Sequence, residues 1–165
     1  MSGPRADRPA PDTGAGPAAG VAGVPPGHLA DGRAWLVVCA LLAGGSLAAW
    51  WAPAALLDWQ PSRGVAEPWR LITAAFVHWS PAHLVANLVG AGIVALLGRI
   101  GALPVRAAWA LVVAWPLTHA GLWLEPALAH YGGASGVLHA AVAVAAVSLL
   151  ARGFGEAGSG DRAQR

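Results

Sequence analysis

Three polar side chains, His83, Asn87 and Ser135, stand in apolar surroundings at spacings that support chemistry. His83 and Asn87 are four residues apart, so on a helix they share one face. Ser135 belongs to Tyr131-Gly132-Gly133-Ala134-Ser135-Gly136, where small neighbours let a hydroxyl approach a carbonyl closely. The chemistry these residue types have in common is acyl transfer. A base activates the serine, and Asn and His donate to the developing oxyanion, which contributes about 3–4 kcal/mol in serine hydrolases. Blander roles compete. Small residues around a serine also suit close helix packing in lipid, and a His-x-x-x-Asn pair also makes interhelical polar contacts.

The elements that must position these residues are set by an apolar composition. The chain has 165 residues, 56% of them hydrophobic and 11% charged, with a mean hydropathy of +0.55. A soluble domain carries about a quarter charged residues, so most of this surface does not face water. All ten basic residues are Arg, scattered among connecting segments with no basic stripe, which argues against a nucleic-acid partner. The one cysteine, Cys39, lies in an apolar run, which excludes an internal disulfide framework and a Cys-rich metal site. The histidines are too dispersed for a metal-ligand cluster, and no Gly-rich phosphate loop occurs. No metal or cofactor is expected.

Four uncharged runs, at about 35–57, 81–98, 107–124 and 134–151, are long enough to cross a bilayer as helices. Pro81 after Ser80 marks the first turn of the second span, because proline is tolerated there and serine caps. Residues 71–79 are then a re-entrant or interfacial approach, after a polar loop at 58–70. Residues 1–32, which include His28, are rich in Pro, Gly and Ala and predict a disordered tail. They lack the apolar core and cleavage site of a secretory signal. The Gly-rich residues 153–165 predict a second unstructured tail. With the N-terminus inside, Arg5, Arg8, Arg33, Arg99, Arg106, Arg152, Arg162 and Arg165 fall inside, and only Arg63 and Arg70 outside. That bias puts both termini in the cytoplasm. Trp50, Trp51, Trp59, Trp69, Trp79 and Trp123 then gather at the outer interface. The expectation is an all-α polytopic membrane bundle with His83, Asn87 and Ser135 at one depth near its outer face. A transporter would show an internal repeat and ionisable groups at mid-membrane; the sequence has no such repeat, and no Asp, Glu or Arg inside a span.

Two blocks resemble a known family. Trp69-Arg70-Leu71-Ile72-Thr73, Phe76-Val77-His78 and His83-Leu84-Val85-Ala86-Asn87 look like the signature of rhomboid intramembrane serine proteases. Residues 131–136 look like their nucleophile motif. Glu67 to Arg70, His78-Trp79, and Ser135-Gly136 with His139 are most similar to the rhombosortase branch. The resemblance covers about residues 33–152. It implies Ser135 as nucleophile, and His83, Asn87 and backbone N–H groups near Ser135 as the oxyanion hole. Arg70 would hold the outer loop, Gly133 would shape the site, Gly136 would permit tight helix packing, and His78 would be structural or handle water. The implied activity is cleavage of single-pass substrates in or beside their membrane segment, in the bacterial inner membrane. For the rhombosortase branch the substrates are exported proteins with a Gly-Gly-type C-terminal sorting segment.

The family has six spans and takes its general base, a histidine, from the sixth; this sequence offers four. Three readings follow. The sequence is a truncated or frame-shifted protease, or an inactive relative that binds membrane helices, or another histidine serves as base. His139, one turn below Ser135, is the nearest substitute, and otherwise a packing or supporting residue. His119 in mid-span and His130 in an outer loop are weaker candidates.

Overall fold

In lipid, an apolar run has to satisfy its backbone polar groups internally, which leaves helix as the natural form. The computed structural model describes residues 32–125 and 127–163, with side chains through residue 153. The predicted tail at 1–32, His28 included, lies outside the described residues except for Gly32. In chain order the helices are α1 (Arg33–Ala48), α2 (Ala54–Leu57), α3 (Arg70–Thr73), α4 (Pro81–Ile100), α5 (Val105–Ala120) and α6 (Ser135–Ala163). Three-residue 3₁₀ turns follow α1 and α3, and a four-residue one, Gly121–Leu124, follows α5. Four segments, Arg33–Trp51, Pro81–Ile100, Val105–Leu124 and Ser135–Gly153, are long and apolar enough to cross a membrane. No strand occurs among the described residues; a single antiparallel bridge pairs Trp59 with Tyr131. The protein is an all-α bundle.

Small residues set how closely the spans pack. α1 lies against α4 and α5, and α6 against α4 and α5. At the α1–α4 contact, the fully buried Trp35 indole donates to the Val94 carbonyl at 2.9 Å. Gly98 lies directly beneath that ring: a β-carbon there would come within 2.0 Å of Trp35 Cδ1. Leu42, Leu111, Trp115, Val137 and Ala141 continue the core. Outward-facing Leu41, Val89, Ile93, Val113, Leu117 and Val147 stay exposed, as a lipid-facing surface requires.

Three boundaries differ from the sequence reading. The first span ends at Trp51 and not near residue 57, because Pro53 cannot continue the helical hydrogen bonding and α2 starts afresh. α5 starts at Val105, with Pro104 as its cap, so Arg106 lies in its first turn. The predicted unstructured tail is corrected more substantially: α6 runs on to Ala163. Extending a formed helix adds one bond per residue fixed and avoids the cost of nucleation. Arg152 also pins this end by donating to the carbonyls of Gly101 and Ala102.

The approach at residues 71–79 is built into the bundle. α3 packs on α5 and the following 3₁₀ turn packs on α1. Ala74 and Ala75 have no exposed surface. A one-turn helix leaves its carbonyls without intrahelical partners. Here Trp115 Nε1 donates to the Ile72 carbonyl at 3.1 Å, and His119 Nδ1 bonds the Leu71 carbonyl at 2.7 Å.

Candidate active site

The loops at the Ser135 end are fastened before any candidate residue is placed. Trp59 and Tyr131 exchange backbone hydrogen bonds of 2.8 and 2.9 Å, joining the 58–70 loop to the segment ahead of α6. Behind that bridge is Arg70, which is 1% exposed. Its guanidinium donates to Glu67 Oε2 at 2.6 Å, to the Asp58 carbonyl at 2.6 Å, to Asp58 Oδ1 at 3.0 Å and to the Ala55 carbonyl at 2.9 Å. Asp58, equally buried, also bonds Gln60 Nε2 at 2.8 Å and His130 Nδ1 at 2.6 Å. A buried charge persists only when it is paired and hydrogen-bonded this fully.

α4 brings two candidates to this end. Ser80 caps it by accepting from the His83 N–H at 3.1 Å, with Pro81 in the first turn. His83 and Asn87 follow one turn apart, and Asn87 Nδ2 donates to the His83 carbonyl at 3.1 Å. Both side chains converge on Gly133. A methyl at Gly133 would lie 2.7 Å from His83 Nε2 and 3.7 Å from Asn87 Nδ2. Gly133 also has φ +131°, a region that favours glycine, and its N–H donates to the Ala74 carbonyl at 2.9 Å.

Two residues on, Ser135 is the first residue of α6 and half-buried. The first N–H groups of a helix lack intrahelical acceptors, and the helix dipole is positive there, which favours an anion. Ser135 Oγ lies 3.2 Å from the Tyr131 hydroxyl. Gly136 leaves space for that phenol: a β-carbon there would lie 3.3 Å from Tyr131 Oη and 3.0 Å from Thr118 Cγ2. The arrangement groups a hydroxyl, two side-chain donors and a helix N-terminus at one end of the bundle, the components that acyl transfer uses.

The remaining histidines fall into different environments. His78 stacks edge-on against His83 with ring centroids 4.9 Å apart, and its Nδ1 bonds the Phe76 carbonyl at 3.0 Å. Burial holds its pKa below the usual imidazole value, against the raising effect of the Phe76 carbonyl and with a smaller contribution from His83. His139 is exposed, and its Nδ1 bonds the Ser135 carbonyl at 2.7 Å, so the ring engages the backbone and not the hydroxyl. It borders a cleft of about 180 Å³ between α4 and α6, with Gly90 and Leu138. His130 sits on Asp58, far from the serine in role. His119 lies in the last turn of α5, is 1% exposed, and its ring is 5.8 Å from that of Tyr131, centroid to centroid.

Sequence reasoning thus missed Tyr131 as a partner of Ser135 and His119 as a neighbour of Tyr131. The available signal was the four-residue spacing of Tyr131 and Ser135, which is uninformative off a helix. A larger cleft, about 560 Å³, lies elsewhere, on the α1–α5 face beside Leu41, Gly44, Phe76 and Trp115, and its lining is apolar. No group of three or more metal-ligating side chains occurs among the described residues. Comparison with known proteins adds no relative: no family model, no curated protein and no solved structure matches the chain.

Proposed function

We propose that the protein is a rhomboid-type intramembrane serine endopeptidase, most like the rhombosortase branch. Its substrates are single-pass membrane segments of exported proteins, of the Gly-Gly-type sorting class. It works in the bacterial inner membrane with both termini cytoplasmic and the serine near the outer face. The observation that carries this reading is the convergence of His83 and Asn87 on Gly133, immediately ahead of Ser135 at the start of α6.

Ser135 Oγ attacks the scissile carbonyl carbon and forms a tetrahedral intermediate. Its oxyanion accepts from Asn87 Nδ2, from His83 Nε2 and from the free N–H groups of the first turn of α6. Such donors act through charge that develops in the transition state, and removing one lowers kcat by about 10²–10³. The half-buried setting keeps bulk water from competing for them. Departure of the amine leaves an acyl-enzyme, which water then hydrolyses.

A second reading is a helix-binding relative that does not cut. It is favoured by the partner of Ser135 Oγ, a tyrosine hydroxyl and not a histidine. To separate the two, the full chain is reconstituted in vesicles with a single-pass reporter ending in a Gly-Gly-type sorting segment. A peptidase releases a cut reporter, and Ser135→Ala abolishes the product. An intact reporter that still co-purifies with the protein supports the binder instead.

A further inference from the structure

Peptide cleavage by Ser135 needs a proton acceptor, and the surroundings of each histidine narrow the choice. His139 spends Nδ1 on the Ser135 carbonyl and leaves its ring exposed. His130 is tied to the Asp58 carboxylate. His83 faces Gly133 on the donor side of the site, and His78 stacks edge-on against His83 and bonds the Phe76 carbonyl, with no bond to the hydroxyl. The side chain that does touch Ser135 Oγ is Tyr131, whose hydroxyl is 3.2 Å away. A neutral phenol is a poor base by itself, so it needs a second acceptor.

His119 has the properties of that acceptor. It is 1% exposed and its ring lies against Tyr131. The bond from Nδ1 to the Leu71 carbonyl requires the proton on Nδ1, because a carbonyl only accepts. Nε2 therefore carries the free lone pair, and it is buried without a hydrogen-bond partner. A buried polar atom left unpaired needs a reason, and a waiting proton site supplies one.

We infer that His119 accepts the Ser135 proton by way of Tyr131, a role that rests on the serine-peptidase reading. As Oγ bonds the carbonyl carbon, its proton passes to Tyr131 Oη. The proton of Tyr131 passes to His119 Nε2 once the two neighbouring rings close to hydrogen-bond distance, and the carbonyl π pair moves to the oxygen. When the C–N bond breaks, the proton returns along the same path to the leaving nitrogen. His119 becomes imidazolium and then neutral again, and Tyr131 ends as it began. Gly136 fits this scheme, since a side chain there would crowd both Tyr131 Oη and Thr118, the residue before His119. Among the described residues, Tyr131 is the titratable group facing His119 from the loop before α6. From α3 it is met by the Leu71 carbonyl, while Arg70 turns its guanidinium to Asp58 and Glu67.

The test follows the rate at which a fluorophosphonate probe labels the full chain in detergent, from about pH 5 to 9. Ser135→Ala, Tyr131→Phe and His119→Asn are compared with the wild type, and thermal unfolding checks each fold. The Asn amide keeps a donor for the Leu71 carbonyl but has no basic nitrogen in place of Nε2. The wild-type rate is expected to fall as pH is lowered and His119 takes up a proton. His119→Asn and Tyr131→Phe are expected to lose about 100-fold or more, with the inflection gone in His119→Asn. Wild-type rate and profile in His119→Asn, with Ser135→Ala unlabelled, would overturn the relay and leave the serine reading standing. No labelling of the wild type above Ser135→Ala would overturn both. If His119→Asn does not fold, Tyr131→Phe decides, and an unchanged rate and profile there overturns the relay.

Discussion

Gly133 has to be glycine on two separate counts: its φ of +131°, and the 2.7 Å that would separate a β-carbon from His83 Nε2. Gly133→Ala is therefore expected to destabilise by about 1–3 kcal/mol through backbone strain. It should also push His83 out of place, so fluorophosphonate labelling should drop further than the fall in unfolding temperature accounts for. Arg70 presents a different cost. Arg70→Ala strands the buried Asp58 carboxylate without its main countercharge, and breaking a buried pair costs about 3–5 kcal/mol. Loss of the folded, monodisperse species in detergent is the expected result, and a wild-type melting profile would contradict a caged Arg70. His78 gives a pH dependence whose sign is fixed by burial. Its folded-state pKa lies below the unfolded value of about 6.5, so the unfolded chain binds a proton more readily. Stability is complete above that pH and declines as pH falls below it, which thermal unfolding at about pH 8 and pH 5.5 would register. His78→Gln should shrink the difference between the two.

At the scale of elements, the packing of α1 on α4 depends on what Gly98 lacks. A methyl there would collide with the Trp35 indole at 2.0 Å, and Trp35 also anchors itself to the Val94 carbonyl. Gly98→Ala is expected to cost about 1–3 kcal/mol as an overpacked core, read as a lower unfolding midpoint with labelling of Ser135 retained at temperatures where the fold survives. Several element boundaries were legible in the sequence because one residue sets them. Ser80 and Pro81 start α4 through a cap and a missing N–H, both local effects. Pro53 is equally local, yet the uniform hydropathy on both sides of it hid the break between α1 and α2. The extension of α6 to Ala163 was illegible for the opposite reason: composition argues against helix there, while attachment to a formed span and the Arg152 anchor favour it. The burial of α3 was illegible too, since it depends on donors from Trp115 and His119, more than 40 residues away in sequence.

At the scale of the molecule, hydropathy was the most informative property of the chain, because lipid leaves few ways to satisfy a backbone. Four helices suited to crossing a membrane follow from it. The site was partly legible, through residue types and spacing: His83 with Asn87, and the small residues around Ser135. What spacing could not supply was the partner of the hydroxyl. Tyr131 reaches Ser135 from a loop tied to Trp59, and His119 reaches Tyr131 from the end of α5, so their meeting depends on tertiary structure alone. The central claim is that this end of the bundle makes Ser135 nucleophilic. The most direct measurement is intact and peptide mass spectrometry of the purified full chain after exposure to a fluorophosphonate. One phosphonyl adduct per chain, located on Ser135 and lost in Ser135→Ala and in Asn87→Ala, is the predicted result. An unmodified chain, or an adduct spread over other serines such as Ser46 and Ser148, would contradict it.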